Sequence, residues 1–580
     1  MPCAHSRPGY LYPKAKGEVG MAKRWSAIAT ALALAGTASA QQAAPVPFPV
    51  TIDIDAARSE GPVEPVWRFF GADEPNYATM KDGRSTLATL GELAPDKVYF
   101  RTHNLFTSGD GTPALKWGST GIYDEDAQGR PIYNWTIIDR IFDTYRARKV
   151  KPYVELGFMP EAMSTRPQPY QHDWRPGSGT LRTGWAYPPR DYAKWEALVR
   201  AWVSHCIERY GRAEVASWYF ETWNEANLPQ YYWGGTREAF FRLHDAAVRG
   251  VRAALPEARV GGPDSAGAGD DFLAAFLQHV KAAGTPTDFV SFHAKGQPVV
   301  VTDAQGSHVR MGLNTHLRAA DHEFAAIAAD PAARTKPIII GESDPEGCAA
   351  CQGPANAYRN GTMYSSYTAA SFPRLKALAD RRQLKLEGIL SWAFEFEDQP
   401  PFAGFRQLTS GGINLPVMNL FKLFARMTGR TIPTHSDHQI ELDAVLQRGV
   451  RDDVDVGSVA SRDGDTVSVL VWHYHDDDLP GPDAAVQARL HGLPRAFALG
   501  ALLTEYRIDS GHSNAFSAWQ SMGKPIAPTD RQRAALLKAS TLATMEDAPQ
   551  PVAVVDGAAT VTLRLPRQGV SLLVLSPRPR

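Results

Sequence analysis

Cysteine is scarce in this chain: Cys3, Cys206, Cys348 and Cys351 are the four in 580 residues. No further Cys or His flanks Cys348-Ala349-Ala350-Cys351 at zinc-ligand spacing, which argues against a structural metal site there, and no thioredoxin-like context suggests a redox role. In an exported protein the pair suits a loop disulfide. Cys206 falls on the apolar stripe of a helix and reads as a core thiol. A basic tail or run is also missing: Lys+Arg number 61 against 62 Asp+Glu, for a net charge of −1. Nucleic acid is therefore not an expected partner. Long hydrophobic runs are absent too. The Ala27 to Gly36 stretch is too short to span a bilayer as an ordinary helix, and nothing later in the chain exceeds it. Neither an internal repeat nor a long low-complexity tract interrupts the sequence.

What is present suits a large enzyme. Apolar residues make up 44% and charged residues 21%, ordinary values for a globular protein, and the length calls for a barrel-sized core plus a second domain. Lys23-Arg24, the apolar run and Ala38-Ser39-Ala40 form a signal-peptide pattern with cleavage before Gln41. Residues 1–20 precede that pattern as an upstream extension, with Met21 as the expected start. The mature protein is expected to be exported, to the periplasm or outside the cell. Residues 41–65 read as a Pro- and Ala-rich linker followed by a strand, Val50 to Asp55, that can pair with strands of the C-terminal domain.

Two stretches carry the chemistry. Ser217-Trp218-Tyr219-Phe220-Glu221-Thr222-Trp223-Asn224-Glu225 begins as an apolar run suited to a buried parallel strand and ends in two polar side chains. A carboxyl walled by Trp218, Tyr219 and Trp223 would be poorly solvated, which favours its protonated form. Downstream, Pro337-Ile338-Ile339-Ile340-Gly341-Glu342 repeats the pattern of a β-branched run ending in Glu. The two glutamates are about three βα units apart, given ~250 residues on eight strands of an ordinary (β/α)₈ barrel. Glutamates so spaced can face each other at one end of the barrel, and glycoside cleavage needs two facing carboxyl groups. The competing reading is a pair of core strands whose glutamates meet arginines.

The surrounding rhythm supports a barrel over residues 66–429. Strands are expected at Val66–Gly71, Val98–Asn104, Lys151–Gly157, the Glu225 stretch, Arg259–Pro263, Asp288–Gly296, the Glu342 stretch and from Gly388 to about Asp398. An amphipathic helix opened by Asp191 and closed by Gly211 precedes the Glu225 strand. From about residue 430 the texture becomes short alternating runs, with a tight-turn signal at Asp463-Gly464, as expected for a β-sandwich over 430–580. His473, His475 and Asp476 to Asp478 could suggest a metal, but a solvated strand end is the expected reading.

Trp218-Tyr219-Phe220-Glu221-Thr222-Trp223-Asn224-Glu225-Ala226-Asn227-Leu228 resembles the acid/base strand of glycoside hydrolase family 39, which holds bacterial β-xylosidases and animal α-L-iduronidases. Ala226 stands where the family usually has Pro. Ile338-Ile339-Ile340-Gly341-Glu342-Ser343-Asp344-Pro345 resembles the nucleophile strand, in a spelling nearer the iduronidases. The resemblance implies a (β/α)₈ barrel with a β-sandwich, Glu225 as acid/base, Glu342 as nucleophile and Asn224 on the sugar 2-OH. It further implies His103 and His293 on sugar hydroxyls, Trp392 as a platform under the ring and Glu397 as a hydroxyl acceptor. Lys295 and Arg406 fall where the family binds a uronate carboxylate. No metal or other cofactor is implied. The expected activity is a retaining exo-glycosidase acting on terminal β-D-xylosyl groups of oligosaccharides. Iduronidase-like or arabinosidase activity is the alternative, and a non-catalytic carbohydrate-binding protein the remote one.

Overall fold

The computed structural model describes residues 46–175, 181–267 and 269–579; the extension and signal peptide expected at residues 1–40 lie outside them. After an N-terminal strand β1 (Phe48–Asp55), eight strands close a parallel barrel. They are β2 (Phe69–Ala72), β3 (Val98–Thr102), β4 (Val150–Leu156), β5 (Tyr219–Thr222), β6 (Arg259–Ser265), β7 (Phe289–Lys295), β8 (Pro337–Asp344) and β9 (Lys385–Trp392), with β9 paired back to β2. All eight overlap the stretches expected from the sequence, although the last begins at Lys385 and ends at Trp392, well short of the expected Asp398. The helix Tyr192–Tyr210 begins at Asp191, whose side chain accepts from the Ala193 N–H, and ends at Gly211 with φ +85°, a backbone that only glycine adopts freely.

Alternation along the strands fills the barrel in layers. At the strand N-termini, Phe69, Tyr99, Tyr153, Tyr219 and Phe289 pack ring against ring, with centroids 4.9–6.3 Å apart. Two residues further along come Arg101, Glu155, Glu221 and Ser291, all buried. Two more bring His103 on the β3 side and His293 on β7, and one further step of two brings Lys295. The aromatic layer closes one end of the barrel, so the polar side chains above it open only toward the loops at the strand C-termini.

The remaining strands form the sandwich. Its outer sheet orders β11 (Thr434–Ser436), β1, β14 (Ala484–His491) and β16 (Ala559–Leu565); the larger sheet contains β10 (Arg430–Ile432), β12 (Asp455–Asp463), β13 (Thr466–Tyr474), β17 (Val570–Pro577) and β15 (Ala501–Ile508). β1 runs parallel to β14 and antiparallel to β11. Val50, Ile52, Ile54, Val486, Leu490, Val467, Val469 and Val471 share the core between the sheets. The opposite face of β13, Leu470 and Trp472, joins the core of the barrel instead. The larger sheet is thus covered on both faces, which explains why Thr466 to Trp472 reads as a nearly continuous apolar run. Asp463 pairs with Thr466 across a two-residue turn in which Gly464 has φ +57°.

His473 and His475 depart from the expectation of a solvated strand end. Both are buried, with Nδ1 of His473 on the Leu565 carbonyl and Nε2 of His475 on the Arg451 carbonyl. Burial between the two sheets of the sandwich, where its ring meets that of Phe48, holds the His473 ring neutral, its pKa pushed down to about 4.

Candidate active site

β5 ends at Thr222, and the chain then turns sharply. Trp223 has φ +70° and Glu225 φ +44°, left-handed conformations that cost on the order of 1–3 kcal/mol each in non-glycine residues. Tertiary bonds hold the turn. The Trp223 N–H donates to the Leu156 carbonyl, its indole Nε1–H donates to the Tyr232 carbonyl, and the Glu225 N–H donates to the Asp264 carbonyl. The result aims Glu225 across the barrel mouth. One of its carboxylate oxygens, Nδ1 of His293 and one oxygen of Glu342 all lie within 4.8 Å of one another.

The two carboxyl groups have different company. Glu342 is buried; Lys295 Nζ donates to its Oε2, while Arg101 Nη1 lies 3.4 Å and His103 Nε2 3.6 Å from its Oε1. Burial alone would raise its pKa, but Lys295, His293, His103 and Arg101 hold it well below the usual carboxylate range. Glu342 is therefore an anion at working pH. Glu225 is 13% exposed and, among the described residues, no lysine or arginine forms an ion pair with it; its bonded partner is His293, 2.8 Å away. Removing the ammonium in Lys295→Ala should let the Glu342 pKa rise, so the acid limb of kcat/KM should move to higher pH, whatever the substrate. A pH profile measured with an aryl glycoside checks this; an acid limb left in place would show that the ammonium does not set the charge of Glu342.

The expected aromatic wall around Glu225 is corrected by the structure. Trp218 precedes β5 and packs outward against Phe142 and Tyr210; Tyr219 belongs to the aromatic layer at the far end of the barrel. The poorly solvated carboxyl of this stretch is Glu221, four residues earlier. Burial, reinforced by Asp264 and opposed by Arg101, pushes it up to about 8.

Beneath the site, Arg101 ties the strands together. Its guanidinium bonds Glu221, lies 2.8 Å from Glu155 and 2.5 Å from Asp264, and donates 3.0 Å to Oδ1 of Asn224. Asn224 is thereby fixed with its Nδ2 buried and without a partner among the described residues. His103 places Nδ1 3.1 Å from Asp73; its ring lies 4.5 Å from that of Trp392, whose indole N–H also donates to Asp73. Lys116 Nζ donates to Asp73 as well, at 2.7 Å. Burial disfavours the His103 cation, but Glu155, Asp73 and Glu342 raise its pKa to about 9.

Asn224, His103, His293, Lys295 and Trp392 thus gather around the two glutamates. Glu397 and Arg406 do not. Glu397 accepts from the Gly83 N–H in the first turn of the helix Lys81–Leu93, where a carboxylate complements the helix dipole. Arg406 has no exposed side-chain surface; it donates to the Glu346 carbonyl and sits behind Asp344, 3.5 Å away. Asp344 stands between it and Lys295. The sequence assigns Arg101 no role, although its period-two relation to His103 points it inward. Nor does it single out Asp73, Lys116, Glu155 or Asp264. Glu155 shares the inward alternation of its strand, whereas Lys116 lies in an aperiodic loop that only the tertiary fold brings in.

The loop after β8 is anchored from beneath. Cys348 and Cys351 are joined, and Arg359 donates to the carbonyls of Cys348, Ala349, Cys351 and Gly404 while pairing with Glu346. Through Glu346 and Arg406 this loop backs onto Asp344, and so onto Lys295.

A parallel barrel with two facing glutamates at its C-terminal mouth, one of them held as an anion, is the site of a glycoside hydrolase. The chain belongs to the glycosyl hydrolases family 39, whose model matches residues 50–557. A β-xylosidase from Geobacillus stearothermophilus is 38% identical over 209 residues, covering 35% of this chain and 38% of that enzyme. The human α-L-iduronidase is 25% identical over 526 residues, covering 83% of this chain and 72% of that one. Among solved structures, a family 39 β-xylosidase from Caulobacter crescentus superposes with a TM-score of 0.67 at 26% identity, covering 91% of this chain and all of the other.

Proposed function

We propose that this protein is a retaining exo-glycosidase that removes terminal β-D-xylosyl groups from xylo-oligosaccharides. The observation that supports the mechanism is that one carboxylate oxygen of Glu225 and one of Glu342 lie within 4.8 Å of each other. Retaining enzymes hold the pair ~5–5.5 Å apart, whereas inverting ones leave ~6.5–9.5 Å for a water. The anionic Glu342 attacks the anomeric carbon while Glu225 gives its proton to the departing oxygen. A water that loses its proton to Glu225 then attacks the same carbon and frees Glu342. Asn224 Nδ2 donates to the 2-OH, a bond that strengthens as charge develops on the sugar. The N-terminal pattern of the sequence supports export to the periplasm or the medium.

Charge matching favours a neutral sugar. Lys295 is met by Glu342 and Asp344, Arg406 by Asp344 and Glu346, and Lys116 by Asp73. A uronate would bring one more anion into a mouth whose cations are already paired, at a desolvation cost. The second reading, α-L-iduronidase-like activity, is favoured by Lys295 at the mouth and by the Glu342-Ser343-Asp344-Pro345 spelling; an arabinosidase is the third. A panel of aryl β-D-xyloside, α-L-arabinoside and α-L-iduronide decides. The xyloside should show the highest kcat/KM, with the iduronide lower by about 10²-fold or more, since a charge left unpaired in a site costs more than a lost methylene. An iduronide preferred over the xyloside would overturn the reading.

A further inference from the structure

Asp264 has no part in the two-carboxylate chemistry, yet it touches both halves of it. It lies in β6, fully buried, with φ +50°, a strained conformation for a residue other than glycine. Its carbonyl accepts from the Glu225 N–H. Its Oδ2 lies 2.9 Å from Nε2 of His293 and 2.5 Å from Arg101. The nucleophile strand is pressed against it: a Cβ added at Gly341 would stand 1.8 Å from its Oδ1, so the residue before Glu342 must lack a side chain. The other ring nitrogen of His293, Nδ1, lies 2.8 Å from Glu225 Oε1 and 4.0 Å from Glu342 Oε2.

We propose that Asp264 is a positioning residue that keeps a proton on both ring nitrogens of His293, aiming the Nδ1–H at Glu225 and fixing a positive charge between the two catalytic carboxyl groups. The inference rests on the roles of Glu225 and Glu342 proposed above. The groups facing His293 agree with it. Asp264 on β6, Glu225 beyond β5 and Glu342 on β8 are acids. The cations nearby, Lys295 on the same strand and Arg101, are themselves bonded to Glu342 and Asp264. Burial opposes a charged imidazole, but Asp264 and then Glu342 outweigh it and raise the pKa to about 10.

The fixed charge has a different effect in each half-reaction. Before attack, the anionic Glu342 offsets the imidazolium that stands beside Glu225. Once Glu342 is esterified its charge is gone while that of His293 remains. Glu225 then faces a cation alone, which favours the carboxylate that must take a proton from water. His293 keeps both of its protons throughout; the proton given to the leaving group is recovered from the water.

The test is a set of pH profiles on the preferred aryl glycoside. kcat/KM with a poor leaving group reports Glu225 as acid, and kcat with a dinitrophenyl leaving group reports it as base. In Asp264→Asn the imidazole should become neutral over the working range and Glu225 should bind its proton more tightly. Both the basic limb of kcat/KM and the acid limb of kcat should move to higher pH, by about 0.5–1 unit, a three- to tenfold change in proton affinity. His293→Gln should move both limbs the same way, and Asp264→Asn added to it should move them no further, because Asp264 acts through His293. Lower activity with unmoved limbs would leave Asp264 a structural role only, and a further shift in the double variant would assign its effect to Arg101; either overturns the proposal. If Asp264→Asn does not fold, His293→Gln alone decides, since unmoved or lowered limbs there contradict it. Glu225→Ala separates the two levels. A basic limb that survives in Glu225→Ala refutes the acid/base assignment itself. A limb that vanishes there but stays in place in Asp264→Asn refutes only the role of Asp264.

Discussion

Glu342→Gly should lose turnover of an aryl xyloside by on the order of 10⁶-fold, the scale seen when a covalent enzyme loses its nucleophile, with the barrel still folded. No glycosyl-enzyme should form. Azide can occupy the space the carboxylate leaves and attack the anomeric carbon directly, giving a glycosyl azide of inverted configuration. Glu225→Ala should behave differently. With a poor leaving group it should lose roughly 10²–10⁴-fold, the ordinary worth of a general acid. With a dinitrophenyl leaving group, which departs without protonation, the first half-reaction should survive and the intermediate should accumulate on Glu342. Azide needs no base, so it should speed turnover and yield a glycosyl azide of retained configuration. NMR of the two products and mass mapping of the trapped residue read the result. An inverted azide from Glu225→Ala, or a sugar trapped elsewhere than Glu342, would reverse the assignment.

Arg101→Met should be the most destabilising single change near the site. The side chain has no exposed surface, and Glu155, Glu221, Asp264 and Glu342 all lie against it. Removing one partner of a buried ionic cluster costs about 3–5 kcal/mol, because the charges left behind are uncompensated. The loss should depend on pH. Burial already raises Glu155 to about 7 and Glu221 to about 8 with Arg101 present; without it both should rise further. Groups whose folded pKa exceeds the unfolded value stabilise below the unfolded pKa, and that contribution is lost as pH rises through the folded pKa. Urea midpoints at pH 5 and pH 8 should therefore show the variant closer to wild type at the lower value. A deficit equal at both would mean that the carboxylates do not titrate in this range. Arg101→Lys should not rescue activity, since one ammonium cannot span Asn224, Glu221 and Glu342 as a planar fork does.

The eight strands and the two glutamates were legible because each depends on a local pattern: a short β-branched or aromatic run, then a polar residue where the run ends. The helix Tyr192–Tyr210 carried both of its stop signals, Asp191 and Gly211. What failed depended on direction across the fold. Trp218 is next to the strand in sequence, but its ring packs outward against Phe142, so it cannot desolvate Glu225. Arg406 follows the last barrel strand as the family's carboxylate partner does, yet its side chain turns inward behind Asp344. Glu397 ends on the first turn of a helix more than 300 residues earlier in the chain. Asp264 was invisible for a related reason: its role comes from three strands meeting, and the strand expected at Arg259–Pro263 stops one residue short of it.

The pairing of β1 bears on how the chain is made. Phe48–Asp55 lies parallel to Ala484–His491 and beside Thr434–Ser436, so this early strand must wait for partners about 380–440 residues behind it. At ~5–20 residues per second, that wait is on the order of 20–90 s. Throughout it the whole barrel can emerge and fold, while Val50, Ile52 and Ile54 remain an unpaired apolar edge. An export or chaperone factor that binds extended apolar segments would find its longest-lived target there, and a chain truncated before Ala484 would keep that edge open permanently, with a barrel that is complete and a tendency to aggregate.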